Sequence, residues 1–179
     1  MEIRIGNARL ELVQGNIVIQ DTGAIVNAAN NRLTPGGGVS GAIHRVAGPE
    51  LWEECKKLGG CLTGEAKLTK GYQLKAQYVI HTVGPVYSGI QADKELLRKA
   101  YISCLELAIQ NKIESLSFPA ISTGIFGYPL EEAAEVSLST VINFLKEHNE
   151  VKLVKFILYT ESEYKVFEKA LKGLWSKNY

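Results

Sequence analysis

The chain has 179 residues, 46% of them hydrophobic and 22% charged, a balance that excludes a disordered or fibrous protein and is expected of one globular domain spanning 1–179. Twenty Lys and Arg against 19 Asp and Glu leave a net charge of +1, so no global field recruits nucleic acid or an acidic membrane. No apolar run approaches the roughly 20 residues of a membrane span. The three cysteines, Cys55, Cys61 and Cys104, form no C-x-x-C pair, and the N-terminus lacks a basic stretch followed by an apolar run, which predicts a reduced, cytoplasmic protein without structural zinc.

In chain order, "ARLELVQGNI" alternates apolar and polar residues and predicts a strand, and "AIVNAA" predicts a more buried one. Their closeness in sequence predicts an antiparallel addition and hence a mixed sheet. "SGAIHRVAGPELWEECKKL" has helical spacing, with Pro49 restarting the helix after a turn at Gly48. "YVIHTVGPV" predicts a strand. "KELLRKAYISCLELAIQN" predicts an amphipathic helix with Leu97, Tyr101, Cys104, Leu105 and Ala108 along one side. A buried strand "SLSFPAI", a helix "EEAAEVSLSTVINFLKEH", a strand "LVKFILYT" and a helix "SEYKVFEKALKGLW" follow. This alternation predicts an α/β sandwich around a largely parallel sheet.

Gly36, Gly38 and Gly41 fit G-x-G-x-x-G, the dinucleotide-binding pattern. That motif demands its first glycine directly after the first strand and an acidic residue about 20 positions later, at the end of the second. Gly36 instead lies several residues beyond "AIVNAA", and the region after the helix reads "CLTGEAKLTKGY". The glycines then read as a tight turn before a helix or as a phosphate cradle. A second small-residue loop, "FPAISTGIFGYP", also leaves a strand and enters a helix, here through Pro129. Two such loops would share one rim of a parallel sheet, where open α/β sheets bind ligands. Backbone N–H groups and a helix N-terminus carrying about half a positive charge would hold a diphosphate there without a lysine. No Walker A pattern occurs.

"GAIVNAAN", "GGGVSGAIHRVAG", "GCLTGEAKLTKGY", "YVIHTVGP" and "FPAISTGIFGYP", in that order, resemble the macro domains, specifically the MacroD-type subgroup. The resemblance implies a three-layer α/β/α fold that binds ADP-ribose or an ADP-ribosylated protein. It also implies removal of ADP-ribose from acidic side chains or from O-acetyl-ADP-ribose; no cofactor is expected, and the three scattered histidines offer no metal-ligand spacing such as H-E-x-x-H. Gly36, Gly37, Gly38, Val39 and Ser40 would wrap the diphosphate and distal ribose from one side, and Ser122, Thr123, Gly124, Ile125 and Phe126 from the other. Asn30 would bond the distal ribose hydroxyls, while Asn27 either joins it or ties its own loop together. Phe126 packs on the distal ribose or fills the core. Tyr159 stacks on adenine or is an ordinary strand aromatic. Asn16 and Ile17 would meet the adenine. Asn30, Gly37, Ser40 and His44 are the catalytic candidates.

Two positions depart from the resembled pattern. Asn16 stands where an aspartate commonly accepts from the adenine amino group, which predicts weaker adenine selection. Ser40 stands where an aspartate commonly orients or activates the attacking water. Serine is no general base near neutral pH, and losing a positioned base costs roughly 10²- to 10⁴-fold in rate. Slow hydrolysis, a non-cutting ADP-ribose reader and an ADP-ribose 1″-phosphatase are the readings left open. His44 is catalytic or structural, His81 is expected in the core and His148 near an exposed helix end.

Overall fold

A computed structural model describes residues 1–177. Strands β1 (Glu2–Ile5), β2 (Ala8–Gln14) and β3 (Ala24–Ala28) open the chain, with a 3₁₀ turn at Ile17–Ile19 between the last two. Helices α1 (Gly38–Ala47) and α2 (Pro49–Lys56) precede β4 (Ala66–Lys70) and β5 (Tyr78–Thr82). Then come α3 (Gln91–Gln110), β6 (Ser115–Phe118), α4 (Leu130–Glu147), β7 (Leu153–Leu158) and α5 (Glu161–Ser176). Gly48, at φ 90°, separates α1 from α2, and Pro49 opens the second helix where its missing N–H is harmless.

The strands form one sheet in the order β1-β2-β7-β6-β3-β5-β4. The four inner pairings are parallel and the two outer ones, β1 with β2 and β4 with β5, are antiparallel. The sheet is mixed, but not through the pair expected from sequence. β2 and β3 are not neighbours; β7 and β6 lie between them. The antiparallel additions come from β1 and β4, which escape the sequence reading because EIRI, although it alternates, is only four residues long, and the charged stretch AKLTK holds few apolar residues.

Each face of the sheet buries its own core. Ala24, Val26, Ile80, Phe118 and Phe156 point to the side covered by α3, α4 and α5. Tyr101, Phe118 and Phe156 form an aromatic centre there, with ring centroids 5.0–5.9 Å apart. Leu97, Tyr101, Cys104, Leu105 and Ala108 of α3 are all buried, as their helical spacing requires. On the other face Ile25, Val79 and Ile157 pack with Ile43 and Ala47 of α1 and Leu51 and Cys55 of α2. All three cysteines are buried and unbridged. Among the described residues no helix is long and apolar enough to cross a membrane.

A candidate anion-binding cleft between two strand-to-helix loops

β3 and β6 are adjacent and parallel, with Ala24 opposite Leu116 and Ile25 opposite Ser117. The loops that follow them, 29–37 and 119–129, therefore emerge from the same rim. Val39, at the start of α1, and Phe126, in the second loop, pack on one apolar cluster together with Ile17, Val18, Ala29 and Leu33. That cluster is the common floor under both loops and the 3₁₀ turn.

The glycine loop is organised by Asn30. Its Oδ1 accepts from the N–H groups of Arg32 and Thr34, both at 3.1 Å, and its Nδ2 donates to the Thr34 carbonyl at 3.1 Å and the Thr34 hydroxyl at 2.9 Å. The self-tying role anticipated for Asn27 thus belongs to Asn30. Asn27 instead donates from Nδ2 to His81 Nδ1, 3.1 Å away on β5. The loop then presses on its own helix. Gly41 lies so close to the Gly36 carbonyl that a Cβ there would come within 2.4 Å of the oxygen. Gly36, Gly37 and Gly38 are exposed, with Gly37 as the N-cap and no side chain capping the helix. The first N–H groups of a ten-residue helix are therefore left to solvent or a ligand.

The second loop is held from below and from the side. The buried Tyr101 hydroxyl donates to the Pro119 carbonyl at 3.3 Å and accepts from the Ile121 N–H at 3.2 Å. Tyr87, in the loop after β5, donates its N–H to the Phe126 carbonyl at 2.8 Å. Ser122 sits at φ 69°, a left-handed conformation costing a residue with a Cβ about 1–2 kcal/mol. Its Oγ presses against Gly84, where a Cβ would lie 2.1 Å away. Tyr101, Thr34 and Gly84 are positioning residues missed by the sequence reading. Gly84 had a visible signal, a glycine directly after the strand "YVIHTV". Gly84→Ala is expected to push Ser122 out of place and lower the melting temperature by several degrees, an overpacking cost of about 1–3 kcal/mol; thermal unfolding measures it.

Four buried side-chain atoms lack a protein partner among the described residues: Asn27 Oδ1, Ser40 Oγ, His44 Nε2 and Ser122 Oγ. Ser40 is the third residue of α1, His44 lies one turn further along, and Ser122 stands in the second loop. Burial lowers the His44 pKa, so its ring is neutral at pH 7. Ile125 is fully exposed, Gly124 is exposed, and Thr123 donates its hydroxyl to the Ala120 carbonyl at 2.7 Å. Tyr159 is 74% exposed at the end of β7, beside the end of β2 that leads to Asn16.

A model described as the Macro domain matches residues 26–137, the segment that holds both loops. The chain belongs to the macro domain family. A Methanosarcina mazei macro domain-containing protein is 51% identical over 172 residues, 96% of this chain and 91% of that one. The Homo sapiens ADP-ribose glycohydrolase MACROD2 is 47% identical over 171 residues, 94% of this chain and 40% of that one. Among solved structures, the Oceanobacillus iheyensis macrodomain with ADP is similar at TM-score 0.96 and 44% identity, covering 99% of this chain and 97% of that one. The Trypanosoma brucei macrodomain in complex with ADP-ribose is similar at TM-score 0.87 and 48% identity, covering 90% and 68%.

Across β3, β5 and β4 of this macro domain, against α1 and α2, runs a buried polar chain. His81, fully buried, accepts from Asn27 at Nδ1, and its Nε2 lies 2.8 Å from the Thr69 hydroxyl, which donates onward to the Lys70 carbonyl. This pattern fixes the neutral tautomer protonated at Nε2. Burial, reinforced by the neighbouring His44, pushes the His81 pKa down to about 3. The unfolded chain binds a proton at His81 below about pH 6.5 and the folded chain does not. Stability is thus expected to fall as pH falls, by about 2 kcal/mol between pH 6.5 and 5 from this residue alone. Urea unfolding at both pH values measures the loss, and His81→Gln should flatten it; an equal slope in the variant would show that other groups carry it.

Proposed function

We propose that this chain binds ADP-ribose across the two loops and cleaves it slowly from acidic side chains or from O-acetyl-ADP-ribose. The carrying observation is the unpartnered hydroxyl of Ser40, buried in the first turn of a helix whose N-terminus no side chain caps, on the rim it shares with the second small-residue loop. Native interiors pair such atoms with ligand or water. An ADP-ribose diphosphate at the α1 N-terminus would take up the free N–H groups and meet a favourable dipole. The Ser40 hydroxyl can donate to a phosphate or ribose oxygen. Tyr159 offers an exposed ring for the base.

The chemistry follows from what each group can do at pH 7. Ser40 can orient a water by hydrogen bonding but cannot take its proton. His44 is neutral, with Nε2 unpartnered, and burial weakens it as a base. Binding therefore outlasts catalytic power, and the relatives' glycohydrolase names support the substrate class rather than a fast rate. Calorimetry tests the binding half: ADP-ribose is expected to bind about tenfold or more tightly than AMP, because AMP cannot bridge both loops. Equal affinities would remove the reading. Single-turnover release from a mono-ADP-ribosylated protein tests the other half, and release at the uncatalysed rate would make the chain a reader.

A further inference from the structure

Between the start of α3, with the loop before it, and the start of α4 lies a groove of about 310 Å³, whose lining includes Tyr87, Ile90, Lys94, Tyr128, Glu132 and Glu135. It adjoins the cleft. The Tyr87 N–H bonds the Phe126 carbonyl at 2.8 Å, and Phe126 and Tyr128 stand two residues apart in the second loop. Both walls are fixed before any ligand arrives. The buried Asp93 carboxylate accepts from the N–H groups of Ser88, Gly89 and Ile90 at 2.8, 2.9 and 3.3 Å, which holds one wall. The Tyr128 N–H donates to the Ser122 carbonyl at 2.9 Å, and the Tyr87 and Tyr128 rings pack with centroids 5.0 Å apart and planes inclined by 58°. Walls already in place spare a ligand the cost of ordering them.

The groove offers acceptors and aromatic faces. Tyr128 is 5% exposed, yet its hydroxyl makes no hydrogen bond among the described residues while the side chain lines the groove. Buried polar groups seldom stay unpaired in a native protein. Glu132 and Glu135 stand one turn apart on α4, and neither is ion-paired among the described residues. Lys94 is the one cation in the lining, and it is likewise unpaired. Two carboxylates in the lining outweigh it, and Asp93 adds a third negative charge behind the wall. Burial, then Glu132 and Asp93, raise the Tyr128 pKa, so the field at its hydroxyl is negative. A negative field, tyrosine rings and a free phenolic lone pair together suit a guanidinium, which is planar, carries five donors and stacks on aromatic faces.

We propose that this groove seats an arginine side chain of the ADP-ribosylated protein, a few residues from the modified position, so that a basic sequence context selects the substrate. The inference rests on the proposed ADP-ribose site. The second loop is the wall common to cleft and groove, so a chain attached to a ligand in the cleft need only pass over that loop to reach Tyr87 and Tyr128. Free ADP-ribose ends short of the groove and is indifferent to its charges. Lys94 opposes the arginine, and its removal deepens the preference.

The test is equilibrium binding of peptides that carry ADP-ribose through a non-hydrolysable link and differ only in one Arg, Ala or Glu, placed in turn at successive positions on either side of the modified residue. Expected, at the placement that reaches the groove, is Arg binding about tenfold tighter than Ala, with Glu weaker than Ala. Glu132→Gln combined with Glu135→Gln should remove most of that advantage, Lys94→Gln should enlarge it by about threefold, and none of these changes should move the affinity for free ADP-ribose. Opposite responses to neutralising opposite charges exclude a merely structural effect. Arg no better than Ala at every placement, or an advantage that survives the loss of both glutamates, overturns the inference while the ADP-ribose site stands. Tighter binding of the Glu peptides overturns it as well, since the groove would then take its sense from Lys94. Failure of free ADP-ribose to bind the wild type would instead overturn the site itself, and the inference with it.

Discussion

Ser40→Asp is expected to raise single-turnover release of ADP-ribose from a modified acidic side chain by about tenfold or more at pH 7, without tightening ligand binding. Ser40 occupies the third residue of α1, is 6% exposed, and has an unpartnered hydroxyl. A carboxylate in the first turn of a helix is favoured by the dipole, which keeps it ionised and able to accept a proton from water. A positioned base contributes roughly 10²- to 10⁴-fold, so even an imperfectly aimed one should be visible. Affinity should move the other way, since a new negative charge beside a diphosphate repels it. Ser40→Asn is the matched control, with nearly the same shape and no base. If Asp and Asn turn over alike, the missing element of the site is something other than a proton acceptor.

What the sequence reveals of this fold depends on how local each signal is. The helical stripe of α3 and the uncharged run of β3 each announce themselves within a few residues. The pairing of β2 does not, because its partner β7 lies more than 130 residues along the chain and nothing in either segment names the other. Hence the expectation that β2 would lie beside β3, and the silence on β1 and β4. The two loops are legible as a pair because small residues after a buried strand and before a helix carry a backbone meaning that needs no partner.

Inside the site the limit is the direction of side chains. Asn27 and Asn30 are three residues apart in one motif, and the sequence cannot say which one reaches across the sheet. The structure sends Asn27 to His81 and commits all four side-chain hydrogen bonds of Asn30 to its own loop. Asn30 would therefore act on a ligand by holding the loop in shape. Asn16 shows the same limit: an amide reads as an acceptor or a donor until the fold shows which end is committed to the Val18 N–H.

A methyl group at Gly41 is expected to weaken ADP-ribose binding by about a hundredfold, near 2.7 kcal/mol, through the loop rather than through any lost contact. Its Cβ would stand 2.4 Å from the Gly36 oxygen and 3.4 Å from the Gly36 carbonyl carbon, and backbone atoms cannot rotate away as a side-chain end can. Relief requires the glycine loop to lift off α1, carrying Gly36 and Gly37 away from the helix N-terminus they frame. Loss of stability alone could mimic weaker binding, so the control must cost stability elsewhere. Gly71 supplies it. A Cβ there would lie 2.1 Å from the Ala76 carbonyl oxygen, in the connection between β4 and β5. That connection leaves the sheet at the rim opposite the cleft, since Lys70 pairs with Tyr78 at the start of β5. Both variants should melt at lower temperature, by an overpacking cost of about 1–3 kcal/mol. Only Gly41→Ala should lose the ligand. If titration finds the two equally impaired, or neither, the grip on the diphosphate does not depend on how closely this loop is seated on its helix.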